Sequence, residues 1–190
     1  MRNQHVTRPS KFRWLPNRKP IFLIASCVLA LAASVYTALP ARSQSLPANT
    51  RIDFIVVEKA KRTMSVYAGE KLLKTYRIAL GQQPVGAKQV QGDMKTPEGR
   101  YFIDGKNPNS QYHKNLGVSY PSAKDRAHAK KLGKPPGGDI KIHGLPNGMP
   151  DIGSAHALHD WTWGCIAVTN EEIDELYKAV TVRTIIDIKP

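Results

Sequence analysis

The thiol of Cys165 is the first group in this sequence that is suited to covalent chemistry. The chain has two cysteines, and the other one, Cys27, lies in an apolar N-terminal segment. A cysteine is a weak nucleophile until a neighbouring base takes its proton. His143 ends a predicted strand, residues 140–143, in which apolar and polar residues alternate. Cys165 begins a second, apolar segment, residues 165–168. If these segments are neighbouring strands, the imidazole lies close to the thiol, so the pattern predicts a Cys–His nucleophile.

Two other interpretations of the thiol stay open at this point. One is a buried structural cysteine without reactivity. The other is a zinc site, because histidine nitrogen, cysteine sulfur and carboxylate oxygen all bind zinc. The candidate zinc ligands are Cys165, His156, His159, Asp151 and Asp160. The short spacing of the two histidines and the lack of a second nearby cysteine disfavour zinc, and we expect no metal.

The N-terminal 42 residues have the composition of a signal peptide. Six basic residues and no acid occupy residues 1–19, and an uncharged apolar run follows at residues 21–39. The small residues around 41–43 suit cleavage after export. The run is also long enough to remain as a membrane anchor, which needs about 20 residues, and Cys27 offers a third possibility, lipid attachment. We therefore expect an exported protein of the periplasm or cell envelope.

The remaining chain predicts one domain, residues 50–190, which is long enough to bury a core. The full chain has a net charge of +13, but residues 1–42 carry seven of the positive charges, which leaves +6. That charge is scattered, so we expect no nucleic-acid partner and a basic surface that favours an anionic cell-wall polymer. A domain with one cysteine cannot form an internal disulfide. We expect a monomer.

The front half of this domain is rich in predicted strands. Alternating segments at 52–57, 63–67 and 72–80 predict an antiparallel meander. A long loop is expected at 82–95, followed by a strand at 100–103 that ends at the polar residues 107–110. A further strand is expected at 140–143, and residues 184–188 close the domain as a strand.

Two helices complete the predicted fold, which is therefore mainly β with two helices (α+β). The first covers residues 121–132 and ends at Gly133, where glycine suits a left-handed C-terminal residue. The second begins at Thr169, with Glu172 three residues on as a capping box, and carries an apolar stripe at helical spacing. His113 and His128 lie in a loop and on a helix surface, and we assign them no function.

Several of these pieces together resemble the YkuD-type L,D-transpeptidase family of bacterial cell-wall enzymes. The similar segments are residues 52–81, the Thr-Pro-Glu-Gly-Arg-Tyr run at 96–101, the Ile-His-Gly run at 142–144 and the Gly-Cys pair at 164–165. The resemblance implies a β-sandwich catalytic domain that needs no cofactor. It also implies Cys165 as the nucleophile, His143 as its base, and Gly164 and Gly144 as oxyanion or orienting residues. A Cys–His pair is expected to raise the thiolate fraction near neutral pH.

The resemblance further implies a substrate, the stem peptide of peptidoglycan, and a thioester that a second stem's amine resolves into a cross-link. One departure is Ala167, where many family members have arginine two residues after the cysteine. This Gly-Cys-aliphatic-Ala pattern resembles the YafK-like branch, for which hydrolysis, as an amidase or carboxypeptidase releasing wall-bound lipoprotein or D-alanine, is the alternative. A wall-binding protein with an inert thiol is a second alternative. We predict that Trp161, Trp163 and Ala167 contact substrate.

Overall fold

The structure is a computed structural model that describes residues 45–190. The predicted signal peptide or membrane anchor, with its cleavage site and Cys27, lies outside these residues. Among the residues that are described, no helix is long and apolar enough to cross a membrane.

Strands dominate the described chain, as the sequence predicts. They are β1 Ile52–Glu58, β2 Thr63–Ala68, β3 Lys71–Arg77, β4 Gly99–Ser110, β5 His113–Val118, β6 Lys141–His143, β7 Ile166–Ala167 and β8 Val180–Lys189. The helices are α1 Ala123–Lys131, α2 Asn170–Ala179 and a 3-10 helical segment, Pro150–Leu158. The prediction of a mainly β fold with helices is confirmed.

The strands form one curled mixed sheet in the order β3-β2-β1-β8-β4-β5-β6-β7 within the described residues. β1 pairs with β2 antiparallel and with β8 parallel, and β6 pairs with β7 parallel. The chain that follows β3 then meets the β7 edge through two isolated bridges, Ala79 to Ala167 and Gly81 to Thr162. These bridges bring the two ends of the sheet together, so the curled sheet encloses a core.

The core consists of apolar side chains from both halves of the sheet. Ile55 and Val66 contribute from the β1–β2 half, and Leu116, Ile142 and Ile166 contribute from the β5–β7 half, all fully buried. Helix α2 adds its predicted stripe, and Thr169 is its N-cap, with the predicted capping box to Glu172. The prediction that Gly133 follows α1 in a left-handed conformation is also confirmed, with φ of 66°.

One prediction about the strands is wrong. Residues 107–110 were expected to end the fourth strand, but β4 continues through Pro108 to Ser110 and forms a hairpin with β5, which the sequence did not predict. Proline is tolerated there because β4 pairs with β8 only as far as Phe102, so that beyond it β4 has a partner on one side only. His113 begins β5 in this hairpin rather than lying in a loop.

Candidate active site

The pairing of β6 with β7 places His143 and Cys165 on the same face of the sheet. Ile142 pairs with Ile166 and His143 with Ala167, so Cys165, which directly precedes β7, lies opposite Lys141. Side chains alternate between the two faces of a strand. Ile142 and Ile166 point into the core, and His143 and Cys165 therefore both lie on the other face, two residues apart along the strands.

That face forms the floor of a cavity of about 430 Å³. The lining residues include His143, Cys165, Lys141, Asn115, Tyr112, Trp161 and Trp163. The structure thus brings together both predicted catalytic residues and both predicted tryptophans, and Trp163 is largely exposed at 73%. Ala167 is not brought to this cavity: it does not line it, and its side chain is fully buried.

The imidazole of His143 is held in one orientation and one tautomer. Its Nδ1–H donates a hydrogen bond to the carbonyl oxygen of Gly144 at 2.7 Å, since a carbonyl can only accept. The ring centroid lies 4.5 Å from that of Tyr112 and 5.6 Å from that of Trp161. With Nδ1 engaged, the lone pair on Nε2 is the proton acceptor of this residue.

Burial keeps both members of the pair uncharged at neutral pH. The pKa of His143 is lowered from 6.5 to about 4, mainly by burial and in smaller part by the positive charge of Lys141, while the Gly144 hydrogen bond acts in the opposite direction. Burial also raises the pKa of the Cys165 thiol, against the backbone N–H and the charge of Lys141, which lower it. The prediction that His143 raises the thiolate fraction of Cys165 near neutral pH is therefore wrong for the resting protein. His143 has to take the proton as the thiol attacks.

The hydroxyl of Thr162 holds the turn that carries the thiol. It accepts a hydrogen bond from the N–H of Gly164 at 3.1 Å and donates one to the carbonyl of Cys165 at 2.7 Å. The backbone of Thr162 is fixed in turn, because its N–H donates to Leu80 and its carbonyl accepts from Gln82. The thiol itself donates to the carbonyl of Asp139 at 3.6 Å.

Both predicted glycines are sites where no side chain fits. Gly164 has φ of 127°, and a Cβ there would lie 2.6 Å from the carbonyl oxygen of Lys95. A Cβ on Gly144 would lie 2.6 Å from the side-chain oxygen of Asn170. The N–H of Gly164 is engaged by Thr162, and that of Gly144 is engaged by the carbonyls of residues 112 and 114. At both positions the backbone N–H is therefore engaged within the fold and a side chain would collide with its neighbours.

The structure does not gather the residues of the zinc interpretation. Within residues 45–190, no three His, Cys, Asp or Glu side chains are placed to hold a metal ion. Asp160 instead forms an ion pair with Arg62 at 2.7 Å, and His159 is exposed. His156 is buried on the 3-10 segment, where its Nδ1 has no hydrogen-bond partner among the described residues.

Four residues of the site were not assigned a role from the sequence. Tyr112 and Asn115 belong to the hairpin that was not predicted, and Asn115 pairs directly with His143 across β5 and β6. Thr162 had a local signal, because a threonine hydroxyl can bond to backbone groups two and three residues on, but its backbone is also held by the chain after β3, which the sequence does not show. The position of Lys141 could have been predicted from the sequence. It precedes His143 by two residues on a strand, and side chains two residues apart on a strand lie on the same face of the sheet.

These features define a thiol–imidazole site at the edge of a curled, mainly β domain. Comparison with known proteins assigns that domain to a family. Residues 52–188 match the YkuD family, the L,D-transpeptidase catalytic domain, and the chain belongs to this family.

Two relatives show how far the similarity extends. A protein of Escherichia coli K12 named "Putative L,D-transpeptidase YafK" is 36% identical over 134 residues, which are 67% of this chain and 47% of the relative. The crystal structure of the helical cell shape determining protein Pgp2 from Campylobacter jejuni is 28% identical, with a TM-score of 0.56. That match covers 77% of this chain and 51% of Pgp2. The chain thus spans about half the length of these relatives.

Proposed function

We propose that this protein is a peptidoglycan L,D-transpeptidase that acts through a thioester on Cys165. The observation that carries the proposal is the placement of His143 and Cys165 on adjacent parallel strands, facing one cavity, in a chain of the YkuD family. The cavity is lined by amide, hydroxyl and indole groups, which suit a peptide backbone. Membership of the family supports a transpeptidase-type activity and a location in the cell envelope.

The first half-reaction transfers an acyl group from the donor stem to sulfur. As the thiol attacks the carbonyl that follows the L-centre of the stem's diamino acid, Nε2 of His143 takes the thiol proton. The tetrahedral intermediate collapses, the C–N bond to D-alanine breaks, and His143 returns the proton to the leaving amine. The products are an acyl-thioester on Cys165 and free D-alanine, with the imidazole neutral again.

The negative oxygen of that intermediate needs a hydrogen-bond donor. The N–H groups of Gly164 and Gly144 are already engaged, but the N–H of Cys165 makes no hydrogen bond to any residue of 45–190. We assign the oxyanion contact to the Cys165 N–H. A donor of this kind contributes about 3 kcal/mol to stabilising a transition state. The turn fixed by Thr162 keeps this group beside the sulfur.

The second half-reaction releases the acyl group to an acceptor. An amine from the side chain of a second stem attacks the thioester, His143 accepts the amine's proton, and the C–S bond breaks to give an amide cross-link. The proton then passes to the thiolate, which restores the starting state. Such cross-links, or the attachment of a protein to the wall, would make the enzyme a contributor to cell-wall biogenesis and cell shape.

A hydrolase with the same nucleophile is the second candidate. It rests on the resemblance of the Gly-Cys-aliphatic-Ala pattern, with Ala167 in place of the common arginine, to the YafK-like branch. Water then replaces the amine in the second half-reaction, and the product is a stem shortened by one residue or a released protein. Chemistry up to the thioester is the same for both candidates.

Incubation of the purified protein with muropeptides, followed by mass spectrometry of the products, tests this proposal. Cross-linked dimers are expected for the transpeptidase, and trimmed monomers would identify the hydrolase instead. Cys165→Ala serves as the control, since its products should equal those of a blank. If the wild-type protein also leaves the muropeptides unchanged, the proposal is wrong.

A covalent probe tests the nucleophile separately from the substrate. A carbapenem has a strained lactam carbonyl, and we expect one adduct on the peptide that contains Cys165, slower in His143→Ala and absent in Cys165→Ala. An inert structural cysteine predicts the opposite pattern, with no adduct on native protein and ready alkylation of the thiol after denaturation.

A further inference from the structure

Lys141 lies next to the nucleophile in the sheet. It is the residue opposite Cys165 in the β6–β7 register, and it pairs on its other side with Gly117 of β5. Gly117 pairs in turn with Gly105 of β4. Cys165, Lys141, Gly117 and Gly105 therefore form one row across four strands on the cavity face, and the row contains a single cationic side chain.

Gly105 leaves open space beyond Lys141 in this row, whereas the Asp104 carboxylate covers Gly117, where a Cβ would lie 2.3 Å from Asp104 Oδ1. A second cavity of about 320 Å³ lies over Gly105 and Gly117. It shares Asn107, Asn115, Asp139 and Lys141 with the cavity that holds Cys165. Because the shared residues lie between the two, the space continues from the thiol, past the Lys141 ammonium, towards Gly105, with the Asp104 side chain as one of its walls. A peptide residue on the far side of the scissile bond fits in this direction.

Among residues 45–190 the ammonium of Lys141 has one ion-pair partner, and that partner is easily displaced. Its Nζ lies 3.1 Å from Oδ1 of Asp139, whose side chain is 88% exposed. An exposed ion pair of this kind contributes little, typically less than about 1 kcal/mol. A carboxylate brought by a ligand can therefore replace Asp139 at Lys141 without a large cost.

The spacing of the row fits the geometry of a short peptide. Neighbouring strands lie about 4.8 Å apart, and an extended peptide advances about 3.4 Å per residue. The terminal carboxylate of a donor that has one residue beyond the scissile bond therefore lies about one strand spacing from the attacked carbonyl. With that carbonyl at Cys165, the carboxylate comes within reach of the Lys141 side chain.

We propose that Lys141 binds the free terminal carboxylate of the residue that leaves, and so selects donor peptides that end one residue after the scissile bond. This inference rests on the proposed function, because it takes Cys165 to be the nucleophile. Lys141 is then a specificity-determining residue, and the space over Gly105, beside the Asp104 side chain, receives the leaving residue.

The test compares two ligands that differ only in this carboxylate. A stem tetrapeptide with a free C-terminal acid and the same peptide with a C-terminal amide are titrated into Cys165→Ala, so that binding is measured without turnover. We expect the acid to bind about tenfold more tightly than the amide, as a charge-assisted contact provides. The added substitution Lys141→Met, which keeps the length of the side chain and removes its charge, should abolish this preference.

Three further variants in the same background make the test specific. Lys114→Met removes an ammonium that is held by Asp174 at 2.6 Å outside the cavity, and it should leave the preference for the acid unchanged. Lys141→Arg should retain most of the preference, because the charge is kept. Asp139→Asn removes the competing carboxylate and should tighten binding of the acid but not of the amide.

The outcomes separate this inference from the proposed function. If both peptides bind equally and Lys141→Met changes neither, stem-peptide binding stands and the role of Lys141 is wrong. If neither peptide binds to Cys165→Ala and the wild-type protein converts neither, the proposed function is wrong and the inference falls with it. A preference that Lys114→Met abolishes as well would show a general effect of net charge and would also overturn the role of Lys141.

Discussion

The two ends of the curled sheet are built differently. β1, β2 and β8 are six to ten residues long, and their inward side chains are apolar. β6 and β7 are three and two residues long, with apolar residues on the core face and Lys141, His143 and Cys165 on the other. The first region is stabilised by its own strand pairing and core, and the second is held in place by contacts from the surrounding loops.

This difference shows how a polar site is kept rigid at the edge of a sheet. β7 is tied to the chain after β3 through reciprocal hydrogen bonds between Ala79 and Ala167, of 2.9 and 3.1 Å. Val168 donates to the carbonyl of His143 at 3.0 Å, which fixes the strand bearing the thiol against the strand bearing the imidazole. The cavity face itself contributes little apolar burial, so its geometry depends on residues that are distant in sequence.

The largest expected effect comes from removing the nucleophile or its base. Cys165→Ala should lower turnover of muropeptides by about a thousandfold or more, and His143→Ala should cost nearly as much, because residues that act as a unit are not additive. The double variant should be no slower than either single variant. Turnover and thermal unfolding are measured together, and the melting temperature of Cys165→Ala should stay close to that of wild type. An active Cys165→Ala would remove the basis of the proposed mechanism.

Two buried threonines, one in each region, allow an effect on activity to be distinguished from an effect on stability. Thr162 and Thr184 are both about 5% exposed or less, and each hydroxyl makes hydrogen bonds to backbone. Thr162→Val and Thr184→Val should each destabilise the fold by about 1–3 kcal/mol, since each leaves a backbone group unsatisfied. Thr162→Val alone should also lower turnover by about tenfold, because the Cys165 turn loses its anchor.

Denaturation and steady-state kinetics on the two threonine variants check this expectation. Equal losses of activity in both, at a temperature where both are folded, would contradict a specific role of Thr162. A loss of stability without any loss of activity in Thr162→Val would show that the turn is fixed by other contacts.

The pH dependence of activity tests the burial of His143. The imidazole must be neutral to accept the thiol proton, and its pKa is lowered to about 4, so activity should persist as pH falls through 6.5 and be lost near pH 4. Tyr112→Ala uncovers one face of the ring. Desolvation then weakens, the pKa rises towards 6.5, and the loss of activity moves to higher pH.

The matched control for this variant lies in the other region. Tyr67, whose ring centroid is 6.1 Å from that of Phe54, is also an aromatic residue on the sheet. Tyr67→Ala should leave the shape of the pH profile unchanged. A profile that is the same in wild type, Tyr67→Ala and Tyr112→Ala would show that Tyr112 does not control the pKa of His143.

The smallest expected effect comes from removing one methylene group from an isoleucine side chain on the core face of the sheet. Ile55 of β1 and Ile142 of β6 are both fully buried. Ile55→Val and Ile142→Val should each lower the free energy of unfolding by about 1 kcal/mol. Only Ile142→Val should also lower turnover, and by a few-fold, because Ile142 adjoins His143 in a strand of three residues. Chemical denaturation with parallel kinetics measures both, and an equal loss of turnover in Ile55→Val would contradict this view of the site.

Local patterns account for the parts of the fold that were predicted correctly. The alternating segments at 52–57 and 63–67 became β1 and β2, and the Thr169–Glu172 capping box formed as expected. These signals depend on neighbours within a few residues. The β4–β5 hairpin was missed because residues 107–110 have turn-forming composition, and pairing with β5 overrides that preference.

The sequence by itself determined which groups can react: one thiol in the domain, one histidine at the end of a strand, and glycines beside both. Only the tertiary structure decided how they act. Register between β6 and β7 placed Lys141 beside the thiol, the hairpin brought Tyr112 onto the imidazole, and burial made the resting pair neutral. Residue type is local information, whereas strand register and burial arise from contacts between segments far apart in the chain, and these set the pKa values and the shape of the site.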